Sequence, residues 1–402
     1  MKLLPKPTQS GKTFWIIDQI RNKVNEEDND YLHVVVVSNN LLETNQMEER
    51  VKSELGDIGF ILSSKSNDCK SAKEIAHNFL FEDMKVMICC KHKTRFEDIG
   101  NVLDKGLANK KFCIWIDEAD SMISLTSNYL DAWAQNDNVA EITLITATPS
   151  AVQEMYADIE VIEQEKTHEE NIYTSLADCR FLTRAYECPN SIEYITHVLE
   201  GVSESSRGFK ACDNYYIPAR VRVSDHIRTK NVLIEYGFNV LVINNHGWKL
   251  YGDDFDDPEC IDYNDSQPSV VLARIYDEYD LGNKPFAITG HLSIGRGITF
   301  TSEDFQLTHS ILSDHISSRN DEMYQIAGRM TGNNKTYIER APVIYCTPKF
   351  KKTVLARESA VLKTPEIAQT PRVAKTTRTK KYVKTTTTVK TTKTKVKKVK
   401  RF

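Results

Sequence analysis

The sequence predicts an α/β protein of two parallel-sheet lobes in tandem, followed by a disordered basic tail. Three observations carry this. Short apolar runs rich in β-branched residues recur through the first 150 residues, with helix-periodic stretches between them, as in strands buried on both faces. The alternation returns after about residue 219. Near residue 361 the composition turns to Lys, Thr, Val and Arg, with too little apolar mass to fold alone.

In chain order, Met1 to Leu4 is a very short apolar start. Phe14, Ile17, Ile20 and Val24 then recur at helical spacing, as in a helix packed on a sheet. Leu32 to Val37, Val86 to Cys90, Phe112 to Ile116 and Ile142 to Thr146 read as buried strands, which completes a first lobe over residues 1–155. Residues 156–218 are polar and read as a connector or insertion. Val240 to Ile243, Ala287 to Thr289 and Val343 to Cys346 are the strands of a second lobe over 219–360, and 361–402 form the tail.

The 402 residues suffice for two cores, and 40% hydrophobic with 27% charged residues is ordinary for a soluble protein. No apolar run reaches the ~20 residues of a membrane span, and the N-terminus lacks a signal-peptide pattern. Nine cysteines without a CxxC pair point to reduced thiols in an intracellular setting, cytoplasmic or nuclear, and argue against structural zinc. The net charge of −4 hides an asymmetry. From residue 363 onward, 14 Lys or Arg face the single acid Glu366, a balance of +13 that leaves −17 on the rest. Such a tail is expected to contact nucleic acid or another polyanion; the bland alternative is a solubilising or targeting extension.

Lys6-Pro-Thr-Gln-Ser-Gly-Lys-Thr13 approximates a phosphate loop, in which backbone N–H groups converge on phosphate oxygens at a helix N-terminus. Thr8, Gln9, Ser10 and Gly11 would form the cradle, Lys12 would reach the terminal phosphates, and the Thr13 hydroxyl would ligate Mg²⁺. The bland alternative is a helix cap by Thr8 or Ser10. Asp117-Glu118-Ala119-Asp120 follows a buried strand, at the sheet edge where open α/β folds bind ligands. There Asp117 suits a magnesium contact and Glu118 suits deprotonation of an attacking water. The bland alternative is an acidic cap for the next helix. Cys89 and Cys90 read as core residues, Asp253 to Asp257 as a solvated turn, and His168 as part of an exposed charge run.

With Thr146-Ala-Thr148, this set resembles the superfamily 2 helicases and translocases: PTQSGKT as motif I, DEAD as motif II and TAT as motif III. Val34 to Asn40 resembles motif Ia, Leu241 to Asn245 motif IV, Ile288 to Ile298 motif V, and Gln325-Ile-Ala-Gly-Arg329 motif VI. The resemblance implies two RecA-like lobes with ATP and Mg²⁺ between them, and DNA or RNA, as a single-stranded tract, gripped across both. It implies Arg329 as an arginine finger and Gln325 as an ordering group beside Glu118 and Lys12. Gly297 joins the nucleotide contacts, Thr146 and Thr148 couple hydrolysis to movement, and Asn39, Asn40, Thr289 and Arg296 contact nucleic acid. One departure is Gly332, where the family usually carries a second arginine; Arg319 is a candidate substitute. The alternative is a nucleic-acid-binding protein with a degenerate nucleotide site. Motif I lacks the usual small residues and motif VI does not begin with His, which sets the chain apart from the DEAD-box RNA group. Compact size and the basic tail are similar to helicases encoded by large DNA viruses.

Overall fold

The computed structural model describes residues 1–25, 31–39, 41–63, 69–107, 110–163, 172–187, 190–262, 267–290, 299–338 and 340–362. Asn40, His168, Arg296, Gly297 and the tail from 363 lie outside these residues.

The first lobe runs β1 (Lys2–Pro5), α1 (Lys12–Val24), β2 (Tyr31–Val37), α2 (Leu41–Leu55), β3 (Gly59–Leu62), α3 (Ala72–Phe81), β4 (Val86–Cys90), α4 (Lys93–Lys105), β5 (Lys111–Ile116), α5 (Ile123–Ala134), β6 (Val139–Thr146), α6 (Ser150–Met155) and β7 (Glu160–Val161). Its seven strands pair in parallel in the order β3-β4-β2-β5-β6-β1-β7. Burial follows the two-residue strand period. Leu32, Val34 and Val36 of β2 enter one core with Phe112, Ile114 and Ile116 of β5. Val35 and Val37 enter the opposite core with Cys113 and Trp115. Both faces being covered explains why these strands read as unbroken apolar runs, each such side chain contributing about 1.5–3 kcal/mol on burial.

The second lobe runs β8 (Arg180–Thr183), α7 (Ser191–Ser203), β9 (Asn214–Tyr216), α8 (Val223–Glu235), β10 (Asn239–Asn244), β11 (Gly247–Tyr251), β12 (Glu259–Ile261), α9 (Pro268–Glu278), β13 (Phe286–Gly290), β14 (His309–Leu312), α10 (Asn320–Ala327), β15 (Val343–Cys346) and α11 (Pro348–Leu362). The eight strands are ordered β12-β11-β10-β13-β9-β14-β15-β8. Leu241 and Ile243 of β10 face one core while Val240 and Val242 face the other.

Two features differ from the sequence reading. The expected connector over 156–218 contributes to both sheets: β7 pairs with β1, whereas β8, α7 and β9 belong to the second lobe, which therefore begins ahead of residue 219. These strands span two to four residues and carry polar neighbours, too little for a periodic signal. The second sheet also has an antiparallel edge, with β10, β11 and β12 joined as a meander. Asn244 pairs with Gly247 across a tight turn in which Gly247 holds φ +98°, a backbone region favouring glycine.

Candidate functional site

The phosphate-loop segment leaves β1 with Lys6 N–H bonded to the Thr146 carbonyl at 3.0 Å, then turns through Gln9 (φ +58°) and Gly11 (φ +81°) into α1. Ser10 does not cap the helix, because its hydroxyl turns back to the Pro7 carbonyl at 2.8 Å, and α1 has no side-chain cap at all. The first-turn N–H groups of α1 are thus left for an outside acceptor, as a phosphate site requires and a simple cap does not. Ile17 and Ile20 pack in the core as expected, but Phe14 is 54% exposed and lines the cleft between the lobes.

Asp117 follows β5, and its N–H bonds the Val36 carbonyl of the neighbouring strand at 2.9 Å. It does not cap α5, whose N-cap is Met122, and nor does Asp120. Asp117 Oδ1 accepts from the Glu118 N–H at 2.8 Å. Glu118 is buried with φ +47°, uncommon for a side chain of this size. Its Oε1 lies 3.3 Å from Lys12 Nζ, and its Oε2 accepts from Gln325 Nε2 at 3.0 Å. Burial, then the neighbouring Glu118 charge, pushes the Asp117 carboxyl upward, with Lys12 opposing. Below them, Thr146 Oγ1 donates to Asp120 Oδ1 at 2.6 Å and accepts from the Thr148 N–H at 2.9 Å. This chain of bonds ties the TAT segment to the acidic segment.

From the second lobe, α10 delivers Gln325 and the tight turn Gly328–Met330 delivers the buried Arg329. Thr8 is seated against this lobe: its carbonyl accepts from Tyr173 Oη at 2.9 Å and Thr331 Oγ1 at 3.3 Å. A Cβ on Gly328 would lie 2.1 Å from Thr8 Oγ1, so only glycine allows this approach. Thr299 Oγ1 donates to Gln9 Oε1 at 3.0 Å. A cleft of about 420 Å³ results, and its lining includes Thr8, Gln9, Gly11, Lys12, Thr13, Asp117, Glu118, Gln325 and Arg329.

Gly332 holds φ +143° and exchanges backbone hydrogen bonds with Thr174, at 2.7 and 3.1 Å. An arginine there would be strained, which accounts for glycine physically. Arg319 does not replace it: the side chain is exposed, pairs with Glu322 at 3.0 Å, and is not among the cleft-lining residues. The cleft instead receives Arg50 from α2, with Asn333 and Asn334 beyond Gly332, none of which the sequence reading singled out. Arg50 sits among Glu48, Glu49 and Lys52, which reads as a solvated helix face. The side-chain oxygens of both asparagines are buried with no hydrogen-bond partner.

Asn39 is exposed just beyond β2, and Thr289 is wholly buried in β13; neither lines the cleft. A magnesium ion fits the donors present, since Thr13 and Asp117 line the same cleft and the adjacent Asp117 and Glu118 carboxyls, whose burial and mutual repulsion raise the Asp117 pKa, would be relieved by a cation. Among the described residues no cluster of three or more His, Cys, Asp or Glu could hold a metal alone, so phosphate oxygens and water would complete the shell. Among the described residues no helix is long and apolar enough to cross a membrane.

No protein-family model and no curated protein matches the sequence. Solved structures do match the fold. S. cerevisiae Dbp5 bound to RNA and ADP-BeF3 aligns with TM-score 0.52 at 14% identity, covering 92% of this chain and 87% of that one. The E. coli DExH-box NTPase HrpB aligns with TM-score 0.54 at 12% identity over 86% of this chain and 39% of its own. The ATP-dependent type ISP restriction-modification enzyme LlaBIII bound to DNA aligns with TM-score 0.58 at 13% identity over 90% of this chain and 28% of its own. The architecture is therefore that of two tandem RecA-like lobes, the fold shared with these structures.

Proposed function

We propose that this protein is an ATP- and Mg²⁺-dependent motor of the superfamily 2 type, hydrolysing ATP between its lobes to move on or unwind DNA or RNA. The observation that carries the reading is the Gln325–Glu118–Lys12 bridge, which brings groups of both lobes to one carboxylate beside an uncapped helix start.

Lys12 and Glu118 form an ion pair. Entry of a triphosphate draws Lys12 to phosphate oxygens and leaves Glu118 to take the proton of the attacking water. The water oxygen bonds the γ-phosphorus while the bond to ADP breaks. Arg329 meets the charge that develops on the transferred group, a contribution of about 10³–10⁵ in rate where such a finger acts. Thr13 and Asp117 would hold Mg²⁺, which supplies charge neutralisation on the phosphates. The Thr146–Asp120 bond links this centre to β6, a path by which hydrolysis could reach a bound strand. Dbp5 bound to RNA and LlaBIII bound to DNA support a nucleic-acid partner, and the basic tail would add salt-sensitive phosphate contacts.

A binding protein with a weakened nucleotide site is the second reading, favoured by Gly332 alone. Phosphate release with and without single-stranded DNA or RNA separates the two. Turnover stimulated by polynucleotide and lost in Lys12→Ala and Glu118→Gln supports the motor. Flat, near-zero turnover, or native turnover in both variants, rejects it.

A further inference from the structure

Beyond the motif residues, a second lysine reaches the same acid. Lys91 directly follows β4 and is wholly buried, and its Nζ donates to the Glu118 backbone carbonyl at 2.5 Å. The same carbonyl accepts from the Ser121 N–H at 2.8 Å. On the other side of that peptide, the Ala119 N–H is held by the Ile145 carbonyl at 2.9 Å, and the Glu118 N–H by Asp117 Oδ1. Glu118 is thus pinned through its main chain in a left-handed conformation that side-chain-bearing residues avoid. Lys91 itself is anchored through its N–H to the Val37 carbonyl at 3.0 Å, so it reaches the acidic segment from a rigid strand end.

A buried ammonium is stable only when matched by acceptors or opposite charge. Burial pulls the Lys91 pKa down, and the charges of Asp120, Glu118, Asp117 and Glu43 oppose that pull.

We propose that Lys91 is a positioning residue for hydrolysis: it holds the Glu118 main chain so that the carboxylate points into the cleft. This inference rests on Glu118 being the base. It makes a prediction that a merely structural lysine would not, because nucleotide is bound by other groups, Thr8 to Thr13, while Lys91 acts through Glu118.

The test is steady-state ATP turnover with Mg²⁺ on the full chain, beside the affinity for a non-hydrolysable ATP analogue and a thermal melt. Lys91→Met is expected to lower kcat by about 10–100-fold, the cost of misplacing a reacting group by about an ångström, with analogue affinity within about threefold of the native protein. Lys91→Gln, which keeps a donor for the Glu118 carbonyl but no charge, is expected to recover part of kcat; it carries the same comparison should the Met variant fail to melt cooperatively. Native kcat in either folded variant, or kcat and analogue affinity falling in parallel, overturns the proposal. Turnover surviving in Lys12→Ala and Glu118→Gln would instead overturn the hydrolysis reading itself, whatever Lys91 does.

Discussion

The first lobe presents Thr8 to Thr13 and Asp117–Glu118 in loops directly after β1 and β5, whereas the second presents Gln325 and Arg329 from α10 and the turn that follows it. In the first case the sheet edge fixes the chemistry: parallel strands place their following loops side by side, so motifs far apart in sequence meet of necessity. In the second, placement depends on packing across the cleft, through the Gly328–Thr8 approach, the Tyr173 and Thr331 bonds to Thr8, and Gln325 on Glu118. One lobe carries a site readable locally, and the other completes it through contacts that exist only when the lobes meet.

The comparison can be broken most sharply at Arg329. Arg329→Ala is expected to lower phosphate release by about 10³–10⁵ while analogue affinity changes little, measured by coupled phosphate detection. An effect confined to binding would make the second lobe a clamp and not part of the chemistry. Gly328→Ala is next: its Cβ would meet Thr8 Oγ1 at 2.1 Å, so it is expected to push the lobes apart at about 1–3 kcal/mol, read as a lower melting temperature with reduced turnover. Phe14, exposed on the first lobe's side of the cleft, sharpens the contrast from the opposite direction. Phe14→Ala is expected to raise KM for ATP about tenfold with kcat preserved, because it removes an exposed aromatic face that a nucleotide entering the cleft would meet.

The smallest effect concerns stability within the second lobe. Burial, then Arg207, lowers the His309 pKa from 6.5 to about 3, with Arg207 Nη2 at 2.7 Å from Nε2. The folded pKa lies below the unfolded one, so the unfolded chain binds the extra proton and stability falls as pH drops through the window from 6.5 towards about 3. His309→Gln should make this fall shallower in melts recorded between pH 7 and about 4.5. His33 in the first lobe, lowered to about 3 by burial and then by Lys23, gives the matching measurement there.

Legibility divides along the same line. β2, β4, β5 and β6 were readable because both faces are buried and their apolar runs are unbroken. β14 was not, although it is wholly buried, because His309 and Ser310 interrupt its apolar character; nor was β11, which lies between β10 and the edge strand β12 and alternates in burial. Thr8 to Thr13 and Asp117–Glu118, most of which line the cleft, stand out in the sequence as motif-like runs, and Gln325 and Arg329 by resemblance to a family. Arg50, Lys91, Asn333 and Asn334 were not, since each takes its place from a fold that periodicity does not encode. Gly332 could be read only as a missing arginine, until its backbone conformation gave the physical reason for glycine.

The central claim, that groups of both lobes act on one triphosphate, is tested most directly by phosphate release from Glu118→Gln, Arg329→Ala and the double variant at saturating ATP. The account predicts strong non-additivity, with the double variant barely slower than the slower single one, as for residues that act as a unit. Independent, multiplicative losses, or native turnover in Arg329→Ala, would contradict it.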